Sequence, residues 1–394
     1  MELTKSKEGL LLLFSALVIT SLDHVCGKPA LKAVSMLTRH GDRSPLMTYP
    51  LDPYLNYSWP GGQGSLSPVD KVIILKFFLV IFLKTVQIGA QQLYHSGVIK
   101  SLRYSSLLNR SCHNKSCSID TNNILVLSSS ARRCISSATH FLDAFLKGTW
   151  SPDLIRIILQ DEDEIIRPPG KPCSDYEYLY IRGPEWNTPE VIHIIDRQSP
   201  NGRKFLNILE ENTGLTIKNT YDILALEDIL LIQLDHGLEL PAWVKSIYDK
   251  HLNPMALALF DLWSSSDYMK IRGGRLLNDI IERLQSYTEG SSNQNILLYS
   301  GHDTTIASLI HTLGVRKQTD IRPNYGAMLS LELYENIEVK NDLEIKIVYY
   351  QKHSDNDPII IEIPHCKVPC PFKKFSMNMQ TKLIKNYKES CIRS

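Results

Sequence analysis

Apolar and polar positions along this chain fall into short blocks of two kinds. Leu31 to Thr38 is an apolar-rich run that stops abruptly at Arg39-His40-Gly41, and it reads as a buried strand. Asn123 to Ser129 is a second such strand, followed by Ala131 to Lys147 with apolar residues at helical spacing. Asn295 to Ser300 is a third, and a helix is predicted from about Thr304 to Leu313. Later strands are predicted at Met328 to Tyr334 and Glu344 to Tyr350. Each polar motif therefore sits at the C-terminal end of a strand and before a helix, where open α/β sheets bind ligands. Residues 150–265 carry proline-rich breaks and amphipathic stretches such as Asp222 to Leu234, and they read as a helical cap inserted over the site. The predicted architecture is α/β: a three-layer core from residues 28–149 and 266–391, with helices on both faces of a mixed, mostly parallel sheet, plus the smaller cap.

Length and charge narrow the setting. The 394 residues are 43% hydrophobic and 22% charged, an ordinary globular balance that can bury a substantial core. A net charge of +1 implies neither a nucleic-acid nor a membrane-surface partner. Lys5 and Lys7 precede an apolar run from Gly9 to Thr20, with small residues for cleavage at Val25-Cys26-Gly27. That is the pattern of a signal peptide over residues 1–27. The run is shorter than the roughly 20 apolar residues of a membrane span, so no span is expected in the mature chain. Sequons at Asn56, Asn109 and Asn114 fit an exported glycoprotein. Removing Cys26 leaves seven cysteines, an odd number, so at least one thiol stays free or pairs between chains. Cys366 with Cys370 and Cys112 with Cys117 are short-range candidates for local bridges.

The chemistry concentrates in Arg39-His40-Gly41-Asp42-Arg43-Ser44-Pro45. Two guanidiniums can hold a phosphoryl group through paired hydrogen bonds. Their field also keeps the intervening imidazole neutral, with a lone pair available to attack phosphorus. Gly301-His302-Asp303-Thr304-Thr305 follows the third strand. Asp303 can protonate a leaving alcohol or cap the following helix, and His302 can donate to a phosphoryl oxygen. Ser128-Ser129-Ser130-Ala131-Arg132-Arg133 opens a helix after the second strand. A helix start disfavours cations unless they have an anion to bind, so one of these arginines completes the clamp. No cysteine has an arginine six positions later, no phosphate-binding G-x-x-x-x-G-K-[ST] loop occurs, and no two-metal set of carboxylates and histidines is evident. The remaining histidines, His236 among them, have no motif context and read as structural or surface residues.

With these residues in view the chain resembles the histidine acid phosphatases, close to the prostatic and lysosomal enzymes and to secreted venom-type relatives of insects. The likeness runs from about residue 31 to 391. It rests on R-H-G-D-R-S-P at 39 to 45, S-W-P at 58 to 60, R-x-x-x-S-A ending at Ala138, Y-S-G-H-D-T-T at 299 to 305 and C-x-x-x-C-P at 366 to 371. The resemblance implies a phosphoglycerate mutase-like core, His40 as nucleophile, Arg39 and Arg43 on the phosphate, and Asp303 as acid with His302 beside it. Counting back from Ser137-Ala138, it selects Arg133 rather than Arg132 as the third arginine. It implies disulfides between Cys173 and Cys391 and between Cys366 and Cys370, while a further family disulfide has no cysteines here, near Tyr221 and Met328. Neither cofactor nor metal is implied. Expected substrates are small phosphate monoesters or phosphopeptides, hydrolysed through a phosphohistidine. The expected location is extracellular, with the lysosome as alternative, and a homodimer is held open.

Residues 69–87 interrupt that resemblance. The apolar core from Val72 to Leu83 is too short to span a bilayer and has no polar face for a surface helix. Joining Leu66-Ser67-Pro68 to Ile88-Gly89 restores the family pattern. The segment's nineteen residues keep the reading frame, begin with Val and end with Gln, and are rich in Phe, Ile, Leu and Lys. It reads as a translated intron, the alternative being a hydrophobic insertion such as a partner-binding loop. Two rival functions follow. A phytase shares these motifs, but its inositol hexakisphosphate site calls for lysines around the cap and no such cluster is seen. A pseudo-enzyme disabled by residues 69–87 is the other, and complete retention of the motif residues opposes it.

Overall fold

The computed structural model describes residues 29–66, 88–108, 110–113, 116–167, 197–218, 220–336, 339 and 342–393. The signal segment 1–27, the insertion 69–87, Asn109, Asn114 and Cys173 with its expected bridge to Cys391 lie outside the described residues.

β1 (Leu31–Arg39) is buried from Ala33 onward, as its continuous apolar run requires. α1 (Ile88–Arg103) follows, then a hairpin of β2 (Arg110–His113) and β3 (Ser116–Ile119) that sets Cys112 opposite Cys117. β4 (Ile124–Ser129) leads into α2 (Arg132–Phe145), and β5 (Ile155–Ile158) comes next. Among the described residues the middle holds the α-helices α3 (Pro200–Thr213), α4 (Thr220–Asp235), α5 (Ala242–Ile247) and α6 (Asn253–Ser264). α7 (Asp267–Thr288) returns the chain to β6 (Ile296–Gly301) and α8 (Asp303–Leu313). β7 (Met328–Glu335), β8 (Leu343–Tyr350), β9 (Ile359–Ile361), β10 (Cys370–Pro371), α9 (Phe372–Met379) and α10 (Tyr387–Arg393) complete the described elements.

The sheet runs β10-β8-β7-β1-β6-β4-β5, with β9 on β8. β1, β6, β4 and β5 are mutually parallel, whereas β7 and the strands beyond it pair antiparallel. The three strands that carry the motifs thus all lie in the parallel part. β5 adds to the edge of this sheet, so residues 155–158 belong to it and not to the helical insertion expected from residue 150. The reason is legible in the pairing: Val126 to Ser129 still has a free edge, and Ile155 to Ile158 satisfies it.

Period-two alternation makes three layers. Ala33 and Leu37 of β1, Leu125 and Leu127 of β4, and Leu297 and Tyr299 of β6 face one core with α7, α8 and α9. Val34 and Met36, Ile124 and Val126, and Ile296 and Leu298 face the other, with α1 and α2. The helices α3 to α6 enclose a separate core built from Leu206, Leu209, Leu226, Leu230, Val244 and Leu259, which Tyr49 joins. Cys366 and Cys370 form a disulfide with Cα atoms 5.6 Å apart.

Candidate active site

Register explains why distant motifs meet. Arg39 of β1 lies opposite Gly301 of β6, and Ser128 of β4 lies opposite Ser300, so three parallel strands end at one level. The His40 amide donates to the Gly301 carbonyl at 2.9 Å, and the Arg39 amide donates to Ala327 at 2.9 Å. α1 then backs the turn at backbone contact. A Cβ on Gly41 would meet the Gly89 carbonyl oxygen at 2.3 Å, and one on Gly89 would meet the Asp42 oxygen at 2.3 Å. Both positions therefore require glycine. The Gly41 amide donates to Ser137 Oγ at 3.0 Å and the Asp42 amide to Gln92 Oε1 at 2.8 Å, which pins the turn to α2 and α1.

His40 is buried, and its Nδ1 lies 2.8 Å from the Gly41 carbonyl oxygen. A carbonyl only accepts, so Nδ1 carries the proton and Nε2 keeps the lone pair. Burial, then the charges of Arg133 and Arg39, holds the imidazole well below its ordinary pKa. Nucleophile and clamp are thus coupled: the cations that bind an anion also keep His40 neutral.

Each arginine has its own holder. Arg39 donates Nη1 to the Pro323 carbonyl at 2.6 Å, pairs Nη2 with Asp303 at 3.1 Å and stacks over the Tyr325 ring at 4.0 Å. Arg43 donates Nη2 to both oxygens of Asp228 on α4, at 3.1 and 3.0 Å. Arg133 is half-buried while Arg132 is exposed, and Arg133 Nη2 lies 3.5 Å from His302 Nδ1. Among the described residues Arg133 has no carboxylate partner, and its buried Nε has no hydrogen bond. Burial lowers its pKa, and Arg43 and Arg167 nearby add to the effect against Cys134. A partly desolvated guanidinium is well suited to take an anion.

His302 is buried between Arg133 and Ser129, whose Oγ is 3.2 Å from Nε2. With Nδ1 facing Arg133, the ring is placed to orient that guanidinium. Asp303 heads α8 and accepts from the Thr304 amide at 2.8 Å. Burial works against its charge, but Arg39, then Arg322, the Thr304 amide and Arg43 outweigh it and hold the carboxyl below its usual range.

Some site residues had no sequence signal. Asp228 sits in the amphipathic stretch Asp222 to Leu234, with no motif around it. His236, read as structural or surface, lies with Nε2 2.8 Å from Asp42 Oδ2, near enough for an ion pair though not aligned as a hydrogen bond. Trp59 packs edge-on against His236 with ring centroids 5.2 Å apart. Among the described residues no cluster of three or more His, Cys, Asp or Glu could hold a metal ion, and no helix is long and apolar enough to cross a membrane.

The chain is similar to lysosomal acid phosphatase of Homo sapiens, 26% identical over 369 residues, covering 92% of this chain and 80% of that protein. Prostatic acid phosphatase of Mus musculus is 25% identical over 377 residues, covering 92% of this chain and 89% of the relative. Among solved structures, the phytase from D. castellii matches with a TM-score of 0.60 at 18% identity, over 93% of this chain and 83% of that one. Hafnia alvei phytase in complex with myo-inositol hexakis sulphate gives 0.55 at 19% identity, over 92% and 98%. Identities this low between structures speak to the fold alone. The signature of the histidine phosphatase superfamily, branch 2, matches residues 30–350, which include β1, β4, β6 and Arg39, His40, Arg43, Arg133, His302 and Asp303, and the chain belongs to that family.

Proposed function

We propose that the chain is an acid phosphatase that hydrolyses small phosphate monoesters through a phosphohistidine on Nε2 of His40. The observation that carries the reading is the locked tautomer of His40 inside a ring of guanidiniums. Arg39, Arg43 and Arg133 bind the phosphoryl oxygens, and His302 steers Arg133. The Nε2 lone pair forms the N–P bond as the P–O bond to the leaving alcohol breaks, and the Asp303 proton passes to the departing oxygen. Water then attacks phosphorus, the Asp303 carboxylate takes its proton, and the P–N bond breaks to return the lone pair to Nε2. Positioning and charge neutralisation supply most of the acceleration.

Asp303 is ionised in the empty site because cations surround it. A bound phosphate cancels part of that charge, so substrate itself favours the protonated acid. His40 stays neutral in acid, where Asp303 is easier to protonate, and this combination fits an acid optimum. We place the helices of residues 200–264 as a cap, since α4 supplies Asp228 to Arg43. The exposed Asn56 sequon and the Cys366–Cys370 disulfide support an exported, oxidising location.

The decisive experiment is acid-quenched labelling with a phosphate monoester, followed by identification of the modified residue. Phosphate on His40, lost in His40→Ala together with turnover, is the expected outcome. A stable label on any other side chain refutes the mechanism.

A further inference from the structure

We propose that Arg322 is a positioning residue for the leaving-group acid Asp303 and for Arg39, and that the cap helix α4 sets it in place through Glu227. This rests on the phosphatase reading of the site. No motif pointed to either residue.

Glu227 is fully buried. Arg322 donates Nη1 to Glu227 Oε2 at 2.9 Å and Nη2 to Oε1 and Oε2 at 3.0 and 2.9 Å. Tyr248, at the end of α5, donates its hydroxyl to the same carboxylate at 3.0 Å. A buried bidentate pair with a third donor has one geometry, unlike a solvated surface pair. It fixes the start of the 322–327 loop, and that loop holds the signature turn at successive points. Pro323 accepts from Arg39 Nη1, the Tyr325 ring lies under the Arg39 guanidinium, and Ala327 accepts the Arg39 amide. The Gly326 amide donates to the His40 carbonyl at 3.3 Å. The orientation of Arg39, and through it Asp303, thus depends on a tie between the core loop and the cap.

Charge adds a second effect. Asp303 faces Arg39 and Arg43 from the signature turn, Arg322 from the loop and Arg133 from α2. Arg322 faces Glu227, Asp228 and Asp235 of α4. Burial and Asp42 push Asp235 up to about 6, so it too titrates in the working range and must be separated from Asp303. Arg39 and Arg43 touch the phosphate and cannot be changed without losing the clamp. Arg322 is occupied by Glu227, and its charge can be removed while the clamp stays whole.

The test is the pH profile of kcat for a nitrophenyl ester in Arg322→Met/Glu227→Gln, which leaves no unpaired buried charge. Losing a cation beside Asp303 raises its pKa, so the acid stays protonated to higher pH. The ratio of neutral to acid activity rises about threefold or more, and Arg322→Lys, which keeps the charge, holds the ratio near its original value. In an Asp303→Asn background the same change leaves the ratio unmoved. An equal loss at every pH makes Arg322 merely structural and overturns the proposal, as does a shift that persists without Asp303. If the paired variant does not fold, Arg322→Gln is read in the same way. Turnover surviving in His40→Ala overturns the phosphatase reading instead, whatever Arg322 does.

Discussion

Replacing Arg133 by alanine tests the clamp most directly, because the structure separates it sharply from its neighbour. Arg132 is exposed, whereas Arg133 is half-buried, lies 3.5 Å from His302 and lacks a carboxylate partner among the described residues. A charge-assisted contact contributes about 1.5–3 kcal/mol net. A guanidinium that makes two contacts to phosphate, discounted for its share of desolvation, is worth about 3 kcal/mol. That corresponds to roughly a hundredfold in kcat/KM. Ground state and transition state share the contact, so part of the loss appears as weaker inhibition by inorganic phosphate. The folded protein should not suffer, since the change removes a buried, uncompensated cation. The assay is kcat/KM with a nitrophenyl ester, the phosphate inhibition constant and the melting temperature, for Arg133→Ala and Arg132→Ala side by side. An inactive Arg132 variant beside an Arg133 variant of normal phosphate affinity puts the wrong arginine in the clamp and refutes the reasoning.

Asp303→Asn should slow alkyl esters far more than nitrophenyl esters, because a proton matters most when the departing oxygen is basic; equal losses across a leaving-group series count against it. The imidazole of His40 is held well below its ordinary pKa, so acidifying through the usual histidine range should not silence kcat/KM, and an acid limb centred near 6.5 contradicts the assignment. Glu332 is fully buried and takes Arg103 at 2.6 and 2.9 Å, Tyr104 at 2.9 Å and Tyr334 at 2.8 Å. Glu332→Ala should cost about 3 kcal/mol in denaturant unfolding, and an unfolding free energy close to that of the wild type sinks the idea. Burial pushes the Cys134 thiol up to about 12, so it should resist alkylation in the folded protein and react once unfolded; rapid modification of the native form disproves that burial.

The parallel half of the sheet was legible because its strands are buried on both faces and read as unbroken apolar runs. Helix α8 begins at Asp303, one residue before its predicted start, and α2 runs from Arg132 to Phe145 inside the predicted Ala131 to Lys147. The motif residues were legible because their chemistry is local: an arginine beside a histidine beside a glycine means the same thing wherever the chain goes. β5 was missed because Ile155 to Ile158 is short and partly exposed, and it is a strand only because β4 offers an edge. Asp228, His236, Glu227 and Arg322 were missed for a related reason. A charged residue is indistinguishable from a solvated one until its partner is known, and each of these partners is far away in sequence. His302 shows the converse: the motif identified the residue, but only the fold sets its ring against Arg133 and Ser129.

Helix α4 ties the two parts of the molecule at three points, Glu227 to Arg322, Asp228 to Arg43 and Gln233 to Asp52 at 3.0 Å, and His236 just after it adds a fourth to Asp42. The sheet and its flanking helices own their apolar cores and need none of these contacts to form secondary structure. Enzymatic competence, by contrast, cannot precede the seating of α4. In a denaturant titration, activity should therefore vanish before the circular dichroism of the sheet, and on refolding it should return last. The midpoint for catalysis measures how firmly the helical layer is fastened, which the global unfolding curve does not report.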